Sequence, residues 1–421
     1  MLEPQSTALF ILLMAVFCAL LAWVAFTRQT VFRVLAASLA FVPAMLFGVA
    51  AVNKYYNYYQ TWGAAAADFG AQGPTALSAV GSNLPTQRLT AILNKVTQAG
   101  SARQLGETVQ FRVTGHKSGI TRAVDVYLPP QYFRPGYRHY RFPAIELITG
   151  NPGEPQDWIN VVGITQTFLT LLADGVVKPA VLVMPDANGG RQFSLQCLNI
   201  PHGPQDAQYL AKDLPAYLAR TLRIQPPGPA WGIAGYSEGG YCAANLSLIY
   251  RLAYGYAGVL SGYFKPGLVR FGTPPHSIYP FRNHKRMRLI NTPTERVLSL
   301  PVSATIPQFW LGAGNLDSQD LLAARDFQRL LLARQPDVQF HLAPGGGHTM
   351  TTWRALIPGL LEWMTPGLAQ AASLGVPADM LHKTAPIGMQ VNPAGSASPG
   401  PSGTTGPVPG QVPPALPTAS P

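Results

Sequence analysis

The stretch that decides the fold is Trp231-Gly232-Ile233-Ala234-Gly235-Tyr236-Ser237-Glu238-Gly239-Gly240. Its apolar run at 231–234 predicts a buried strand, and a helical pattern begins at residue 238. The pentapeptide between them has the form G-x-S-x-G, which in a strand-turn-helix context makes a sharp turn with the serine hydroxyl above the sheet. The two glycines allow neighbouring backbone to approach closely. The sequence therefore predicts a nucleophilic Ser237 at the end of a strand.

Short apolar runs and helical patterns alternate on both sides of this stretch. Two runs with period 2, 109–113 and 123–128, are separated by Gly115 and Gly119 and predict an antiparallel hairpin. Buried strands are predicted at 144–148, 180–184, 231–234, 257–260, 308–311 and 338–342, and helices near 158–173, 207–222, 238–252, 319–334 and 350–364. This alternation predicts a mostly parallel α/β sheet with helices on both faces and the hairpin at one edge.

A serine nucleophile needs a base, and the base needs a carboxylate that orients it. In chains with this turn the order is serine, acid, histidine. His348 follows the predicted strand 338–342 through Pro344-Gly345-Gly346-Gly347, a loop at the strand end where the base must lie. His341 falls inside a strand, and the other histidines after Ser237, at 276, 284 and 382, fall in a loop-rich insertion or near the tail. We expect His348 to be the base.

Two aspartates compete for the role of the acid. The predicted strand 308–311 continues into Gly312-Ala313-Gly314-Asn315-Leu316-Asp317, so Asp317 lies in a loop that could present it to His348. Asp320 falls in the first turn of the next predicted helix, where the helix dipole favours a carboxylate. We favour Asp317 and keep Asp320 as the alternative.

The negative oxygen that forms during attack on an ester needs backbone N–H donors. One should come from the residue after the nucleophile, Glu238. The second should come from Thr149-Gly150-Asn151-Pro152-Gly153, the loop after strand 144–148. Since Pro152 has no N–H, Asn151 is the expected donor, although a plain turn would have the same sequence.

The N-terminal region contains two uncharged segments. No Asp, Glu, Lys or Arg occurs between Glu3 and Arg28 or between Arg33 and Lys54. About 20 apolar residues suffice to cross a bilayer, so two transmembrane helices are predicted. A cleaved signal peptide fits poorly because there is no basic segment at the start and a second span follows. Two arginines in the loop against one lysine after the second span place the loop in the cytoplasm and everything after residue 54 outside.

Composition divides the chain into unlike parts. Only 12% of residues are charged, about half of the usual share, because both spans and the tail lack charge. The predicted organisation is a transmembrane anchor at 1–54, an interfacial segment and connector at 55–105, with a helical stretch near 89–96, a catalytic domain at 106–385 and a disordered Pro/Gly/Ser-rich tail at 386–421. The catalytic domain contains a long insertion at 264–306.

The net charge of +11 belongs mainly to the region after the spans. Within the insertion, basic side chains cluster at Arg282, His284, Lys285, Arg286 and Arg288. The cluster could meet anionic cell-envelope components, with a merely solvated surface as the alternative. Nucleic-acid binding is not expected, because the cluster is short and lacks interleaved aromatic residues.

Several motifs together resemble those of a known family. They are Leu147-Ile148-Thr149-Gly150-Asn151, Val183-Met184-Pro185-Asp186, Gly235–Gly240, Ser261-Gly262-Tyr263-Phe264 and Pro344–His348 followed by Trp353. The region 106–365 resembles the Putative esterase family, which includes esterase D, feruloyl and enterochelin esterases and the antigen 85 mycolyltransferases of actinobacteria. The resemblance implies an α/β-hydrolase fold, a Ser-Asp/Glu-His triad, acyl-ester chemistry and an extracytoplasmic, membrane-anchored enzyme.

Three functions remain open at this point. The first is a serine esterase that cleaves small-molecule or lipid esters, the second an acyltransferase that moves the acyl chain to a sugar or lipid hydroxyl, and the third a non-catalytic envelope-binding protein. No metal or organic cofactor is predicted. With the domain outside the cytoplasm, a disulfide between Cys197 and Cys242 is favoured over two free thiols.

Overall fold

A computed structural model describes residues 2–56, 58–59, 62, 65, 100–189, 194–267, 269–271, 276–278, 281 and 284–374. The predicted helix near 89–96 and the predicted tail 386–421 lie outside these residues, as does part of the insertion. The domain limits given above therefore stay predictions.

Ten strands are described in the chain. They are β1 (Glu107–Thr114), β2 (Thr121–Leu128), β3 (Ala144–Ile148), β4 (Val181–Pro185), β5 (Gly228–Tyr236), β6 (Tyr254–Leu260), β7 (Val269–Phe271), β8 (His276–Ile278), β9 (Gln308–Gly314) and β10 (Gln339–Ala343).

The helices begin with two long ones at the N-terminus. They are α1 (Thr7–Phe26), α2 (Thr30–Tyr56), α3 (Ala102–Leu105), α4 (Asp157–Asn160), α5 (Ile164–Ala173), α6 (Asp206–Gln208), α7 (Leu214–Thr221), α8 (Glu238–Ile249), α9 (Lys285–Ile290), α10 (Pro293–Ser299), α11 (Ser318–Leu332) and α12 (Met350–Ser373). A π-helical turn at Tyr209–Asp213 joins α6 to α7, and 3-10 turns lie at Pro130–Phe133 and Pro135–Tyr137.

Eight strands form one sheet in the order β1-β2-β4-β3-β5-β6-β9-β10. The hairpin β1–β2 is antiparallel, and β2 pairs antiparallel with β4. From β4 to β10 all neighbours are parallel. The predicted α/β-hydrolase arrangement, with a mostly parallel sheet and an antiparallel hairpin at its edge, is therefore confirmed. The strands β7 and β8 form a separate antiparallel pair inside the insertion.

Helices cover both faces of the sheet because the central strands are apolar on both sides. In β5, Trp231 and Ile233 face a core that includes Leu246 of α8 and Phe327 of α11. The next residue along the strand, Ala234, faces a second core formed with α5 and α12. The alternation of side chains along a strand thus sends successive residues into different cores. The parallel strand ends that carry the candidate site are held rigidly between these two layers.

The predicted helix 207–222 is divided into α6, the π-helical turn and α7, and the predicted helix 238–252 ends at Ile249. Two other predicted helices differ for a clear physical reason. The stretch 158–173 forms two helices, α4 and α5, because Gly163 has a φ of 74° and interrupts the helical backbone. The stretch 350–364 continues to Ser373 in spite of Pro358 and Pro366. Burial of residues such as Leu361, Met364 and Leu368 against the sheet offsets the cost of these prolines.

The N-terminal helices α1 and α2 pack against each other as a hairpin. Phe10, near the start of α1, meets Phe47, near the end of α2, with ring centroids 5.2 Å apart. Both helices are long and apolar enough to cross a membrane, with 20 residues in Thr7–Phe26 and 26 in Thr30–Tyr55. They are compatible with the predicted anchor.

Candidate active site

Ser237 stands in the turn between β5 and α8. Its φ is 55°, a conformation that a residue with a side chain rarely adopts. Its backbone N–H donates to the carbonyl of Leu260 at 2.8 Å, which ties the turn to β6. A Cβ atom at Gly239 would lie 2.1 Å from the Ile148 carbonyl oxygen, so the first turn of α8 can pass β3 only with glycine at that position.

His348 lies in the loop between β10 and α12, and its Nε2 is 2.9 Å from the Ser237 Oγ. The buried Thr352 holds this loop in place, because its hydroxyl donates to the Gly347 carbonyl at 2.7 Å. The imidazole meets the Trp353 ring edge to face at 5.1 Å. The Thr352 hydrogen bond and the Trp353 contact therefore hold the His348 imidazole beside Ser237.

The acid loop and the histidine loop are bonded to each other. The Leu316 N–H donates to the Gly346 carbonyl at 2.8 Å. A Cβ atom at Gly314 would lie 2.1 Å from that same carbonyl oxygen, so the two backbones approach as closely as glycine allows. This contact sets the position of Asp317 relative to His348.

Both candidate acids reach the same nitrogen of His348. Asp317 Oδ2 lies 3.0 Å from Nδ1 and makes a hydrogen bond with it, and Asp320 Oδ2 lies 2.9 Å from Nδ1. The Asp317 side chain is 8% exposed and that of Asp320 14%. The structure brings together Ser237, His348 and Asp317, and Asp320, the alternative acid, lies in the same group.

The two carboxylates change the pKa of His348. Burial lowers the pKa of His348, but the hydrogen bonds and negative charges of Asp317 and Asp320 outweigh burial and raise that pKa from 6.5 to about 9. The protonated, imidazolium form of His348 is thereby stabilised.

The expected oxyanion donors flank Ser237. Glu238 begins α8, and Asn151 lies in the loop after β3, where the Asn151–Pro152 bond is cis. Among the hydrogen bonds of the described residues, none uses the backbone N–H of Asn151 or of Glu238.

The side chain of Glu238 has a separate environment that the sequence did not reveal. It accepts a hydrogen bond from Ser194 and another from Tyr263. Burial raises the pKa of Glu238 to about 7, although these two hydrogen bonds oppose the shift. Tyr263 belongs to the motif Ser261–Phe264. This motif was the feature of the sequence that could have indicated that the loop after β6 reaches Glu238.

Cys197 and Cys242 are joined by a disulfide in the structure. Cys242 lies on α8, one turn beyond the serine, and Cys197 lies in the segment between β4 and α6. The bond therefore attaches that segment, which also contains Ser194, to the helix that begins directly after Ser237. Cys18 is a free and exposed thiol on α1.

A cavity of about 720 Å³ opens above Ser237. On one side it is bounded by residues of the hydrolase domain, and on the other by the N-terminal helices and the residues just after them. Its lining comprises Pro4, Leu9, Leu13, Leu46, Val49, Ala50, Val52, Asn53, Tyr58, Tyr59, Trp62, Ala65, Gly150, Asn151, Pro152, Tyr236, Ser237, His348, Met350 and Trp353.

Asp317, Asp320 and His348 also satisfy the spacing of a metal site, since their ligand atoms lie within 4.8 Å of one another. Both nitrogens of His348 already have partners, however: Nδ1 contacts the carboxylates and Nε2 contacts Ser237. A metal at Nδ1 would replace the bond that orients the ring. The arrangement therefore suits proton transfer better than metal binding.

The other predicted histidines have different surroundings. His341 lies in β10 and stacks on the Trp310 ring at 4.7 Å, in agreement with a position within a strand. His276 begins β8 and His284 precedes α9, both in the insertion. His382 lies outside the described residues.

Comparison with known proteins gives a family match. The model of the Putative esterase family matches residues 116–364. Over 348 residues the chain is 25% identical to an uncharacterized protein of Corynebacterium glutamicum, with 79% of this chain and 76% of that protein covered.

Two solved structures are similar to part of the chain. A ferulic acid esterase superposes with a TM-score of 0.51 at 18% identity, covering 62% of this chain and 98% of the other. The Staphylococcus aureus fluorophosphonate-binding serine hydrolase F, with substrate bound, gives a TM-score of 0.48 at 17% identity over 62% and 98% of the two chains. At 18% identity the likeness to the ferulic acid esterase supports the α/β-hydrolase fold alone.

Proposed function

Since the chain belongs to the Putative esterase family and is thus an enzyme that acts on carboxylic esters, we propose that it is a membrane-anchored serine esterase with Ser237, His348 and Asp317 as its triad. One observation carries this proposal. The two nitrogens of His348 lie 2.9 Å from the Ser237 hydroxyl and 3.0 Å from the Asp317 carboxylate, so one imidazole links nucleophile and acid. This is the geometry that a serine nucleophile needs.

In the first half of the reaction the Ser237 Oγ attacks the ester carbonyl carbon. His348 Nε2 takes the hydroxyl proton, and Asp317 stabilises the imidazolium that results. The carbonyl oxygen becomes negative and accepts hydrogen bonds from the N–H groups of Asn151 and Glu238. The C–O bond to the alcohol then breaks, His348 gives its proton to the leaving alkoxide, and an acyl-enzyme remains.

In the second half a hydroxyl compound attacks the acyl-enzyme. His348 takes its proton, the bond to the Ser237 Oγ breaks, and the serine regains the proton from His348. Water as the attacking compound gives a carboxylic acid, whereas a sugar or lipid hydroxyl gives a new ester. The acyltransferase alternative therefore uses the same triad and differs in the acceptor alone.

The location of the domain is part of the proposal. With α1 and α2 crossing the membrane, the excess of Arg28 and Arg33 over Lys54 puts the connecting loop in the cytoplasm and the hydrolase domain outside. The disulfide Cys197–Cys242 supports this side, since disulfides persist in oxidising compartments. On α9 the exposed Lys285 and Arg288 offer positive charge to anionic envelope components.

Labelling with a fluorophosphonate tests the proposal directly. The full chain in detergent should be labelled on Ser237 and should hydrolyse p-nitrophenyl acetate, and Ser237→Ala should lose both properties. Ser247→Ala, a buried serine on the same helix, serves as the control and should retain both. Absence of labelling and turnover in the folded wild-type protein would contradict the proposed function.

Product analysis separates hydrolysis from transfer. The enzyme is given an ester alone and then the same ester with trehalose as a hydroxyl acceptor. Release of free acid at the same rate in both supports the esterase, whereas a new trehalose ester formed at the expense of acid supports the acyltransferase.

A further inference from the structure

The cavity above Ser237 has two kinds of wall. One wall belongs to the hydrolase domain and includes Tyr236, Met350 and Trp353. The other wall is formed by α1 and α2, the two helices that are long and apolar enough to cross a membrane. The helices that would anchor the enzyme thus also enclose the space next to its nucleophile.

Specific contacts hold this end of the helical hairpin on the domain. The Arg354 side chain, which follows Trp353 on α12, donates to the Tyr58 carbonyl at 3.0 Å and to the Val161 carbonyl at 2.7 Å. The Tyr58 hydroxyl hydrogen-bonds to the buried side chain of Asp157 on α4. The segment after α2 is therefore bound at both its backbone and its side chain, so the cavity has a defined wall there.

The same segment is also tied back to the helices. The Asn53 side chain accepts from the Tyr59 N–H at 2.7 Å and donates to the Tyr59 carbonyl at 2.9 Å. Gln5, just before α1, donates to that carbonyl at 2.9 Å. The hairpin, the segment after it and α12 thus form one continuous set of contacts around the cavity.

The position of the cavity along the helices matters for what it binds. The lining residues of α2 lie in its last turns, from Leu46 to Asn53, and those of α1 in its first turns, at Leu9 and Leu13. Aromatic residues of the kind found at membrane interfaces, including Tyr58 and Trp62, follow directly. The cavity therefore lies where the hydrocarbon region of a bilayer would meet the hydrolase domain.

We propose that this cavity binds the acyl chain of a membrane-lipid ester, so that the chain lies between the N-terminal helices and the domain with its carbonyl at Ser237. This inference rests on the proposed function. A volume of about 720 Å³ is in the range of ligand pockets, and the lining is mainly apolar. An acyl chain that moves from the bilayer into such a cavity leaves one apolar environment for another, so it can enter without being exposed to water.

The first expected result concerns chain length. Each methylene that becomes buried in the cavity raises kcat/KM by up to about fourfold for an ester supplied from water. With the full chain in detergent, kcat/KM should therefore rise steeply from p-nitrophenyl acetate to p-nitrophenyl octanoate.

A pair of matched substitutions on α2 tests the wall itself. Val49 lines the cavity, and Val42 lies two turns earlier on the same side of the helix without lining it. Their exposed fractions within the protein are similar, 64% and 53%. Val49→Trp should lower the ratio of octanoate to acetate kcat/KM at least tenfold, and Val42→Trp should leave this ratio at the wild-type value.

Enlarging the cavity instead of filling it provides a second, independent measurement. Leu46→Ala enlarges it and should shift the preference toward esters longer than those preferred by the wild-type protein. Fluorophosphonate labelling of each variant shows that its site is folded. The membrane source is tested with p-nitrophenyl palmitate dissolved in phosphatidylcholine vesicles that contain the full chain, where Val49→Trp should again be slower than Val42→Trp.

The outcomes separate this inference from the proposed function. If the wild-type protein turns over p-nitrophenyl acetate but Val49→Trp and Leu46→Ala keep its chain-length preference, the cavity is not the acyl site and the inference is wrong. If the palmitate in vesicles is not cleaved while octanoate in detergent is, the membrane source is wrong. If even acetate is not cleaved, the proposed function itself fails.

Discussion

The Oδ2 of Asp320 lies 2.9 Å from the Nδ1 of His348, on a nitrogen that Asp317 also reaches at 3.0 Å. A serine triad needs one carboxylate to orient its histidine, and this site provides two. The arrangement follows from the acid loop, which ends directly at the first turn of α11 and so brings two residues three positions apart to the same ring.

The two aspartates should contribute unequally to catalysis. Asp317 is the less exposed one, at 8% against 14%, and it lies in the loop after β9, so Asp317→Asn should lower kcat by about two orders of magnitude, and Asp320→Asn by about tenfold or less. The double variant should fall by about 10⁴. Steady-state kinetics on p-nitrophenyl acetate measure these values. A larger loss for Asp320→Asn than for Asp317→Asn would assign the acid to Asp320.

The activity should depend on pH through His348. The base must be neutral to accept the serine proton, and its pKa is raised to about 9, so kcat/KM should increase as the pH rises from 7 toward 9. Asp320→Asn removes one negative charge and should move this increase to lower pH.

The stability of the folded protein should change with pH in the opposite direction to the activity. The interaction of protonated His348 with the two carboxylates stabilises the folded protein fully below pH 6.5, and this contribution is lost as the pH rises through about 9.

A buried carboxyl away from the site should give a separate pH effect on stability. Burial raises the pKa of Glu146 to about 8, against a hydrogen bond from Tyr254 at 2.8 Å. Between pH 4.5 and 8 the folded state keeps a proton that the unfolded state releases, so stability falls over this window by at most about 1.4 kcal/mol per pH unit. Glu146→Gln should flatten the dependence of Tm on pH, while the exposed Glu362→Gln should leave it unchanged.

The disulfide should stabilise the domain by restricting the unfolded chain. Cys197 and Cys242 are 45 residues apart, and closing a loop of this length contributes up to about 4 kcal/mol. The double variant Cys197→Ser/Cys242→Ser should unfold at a clearly lower denaturant concentration. In the wild-type protein, thiol counting under denaturing, non-reducing conditions should find one thiol, that of Cys18. A count of three would contradict the bond.

The turn at the nucleophile should tolerate no side chain at Gly239. A Cβ atom there would lie 2.1 Å from the Ile148 carbonyl oxygen of β3, which is backbone and cannot rotate away. Gly239→Ala should therefore displace Ser237 and lower fluorophosphonate labelling by at least tenfold, with a loss of stability of about 1–3 kcal/mol. Gly136→Ala is a suitable control, because nothing lies within 4 Å of its added Cβ atom. Normal labelling of Gly239→Ala would show that the turn is less tightly packed.

Much of this fold can be derived from the sequence. The alternation of apolar runs and helical patterns predicted the sheet and its helices, and the glycines around Ser237 predicted the turn. These features are local, since they depend on side-chain periodicity and on the conformations that glycine permits. Helix limits were less well predicted at Gly163 and at Pro358 and Pro366, where a positive φ breaks a helix in one case and burial overrides proline in the other.

The sequence by itself determined which residues are the candidates for the chemistry: Ser237, His348 and a choice between Asp317 and Asp320. Only the tertiary structure decided that both carboxylates meet His348, because their distances depend on the bond between two loops distant in sequence, from Leu316 to Gly346. It also decided that the N-terminal helices enclose the cavity above Ser237. Hydropathy marks a helix as apolar, but which apolar faces meet across a cavity depends on contacts such as that of Arg354 with Tyr58, which no local pattern encodes.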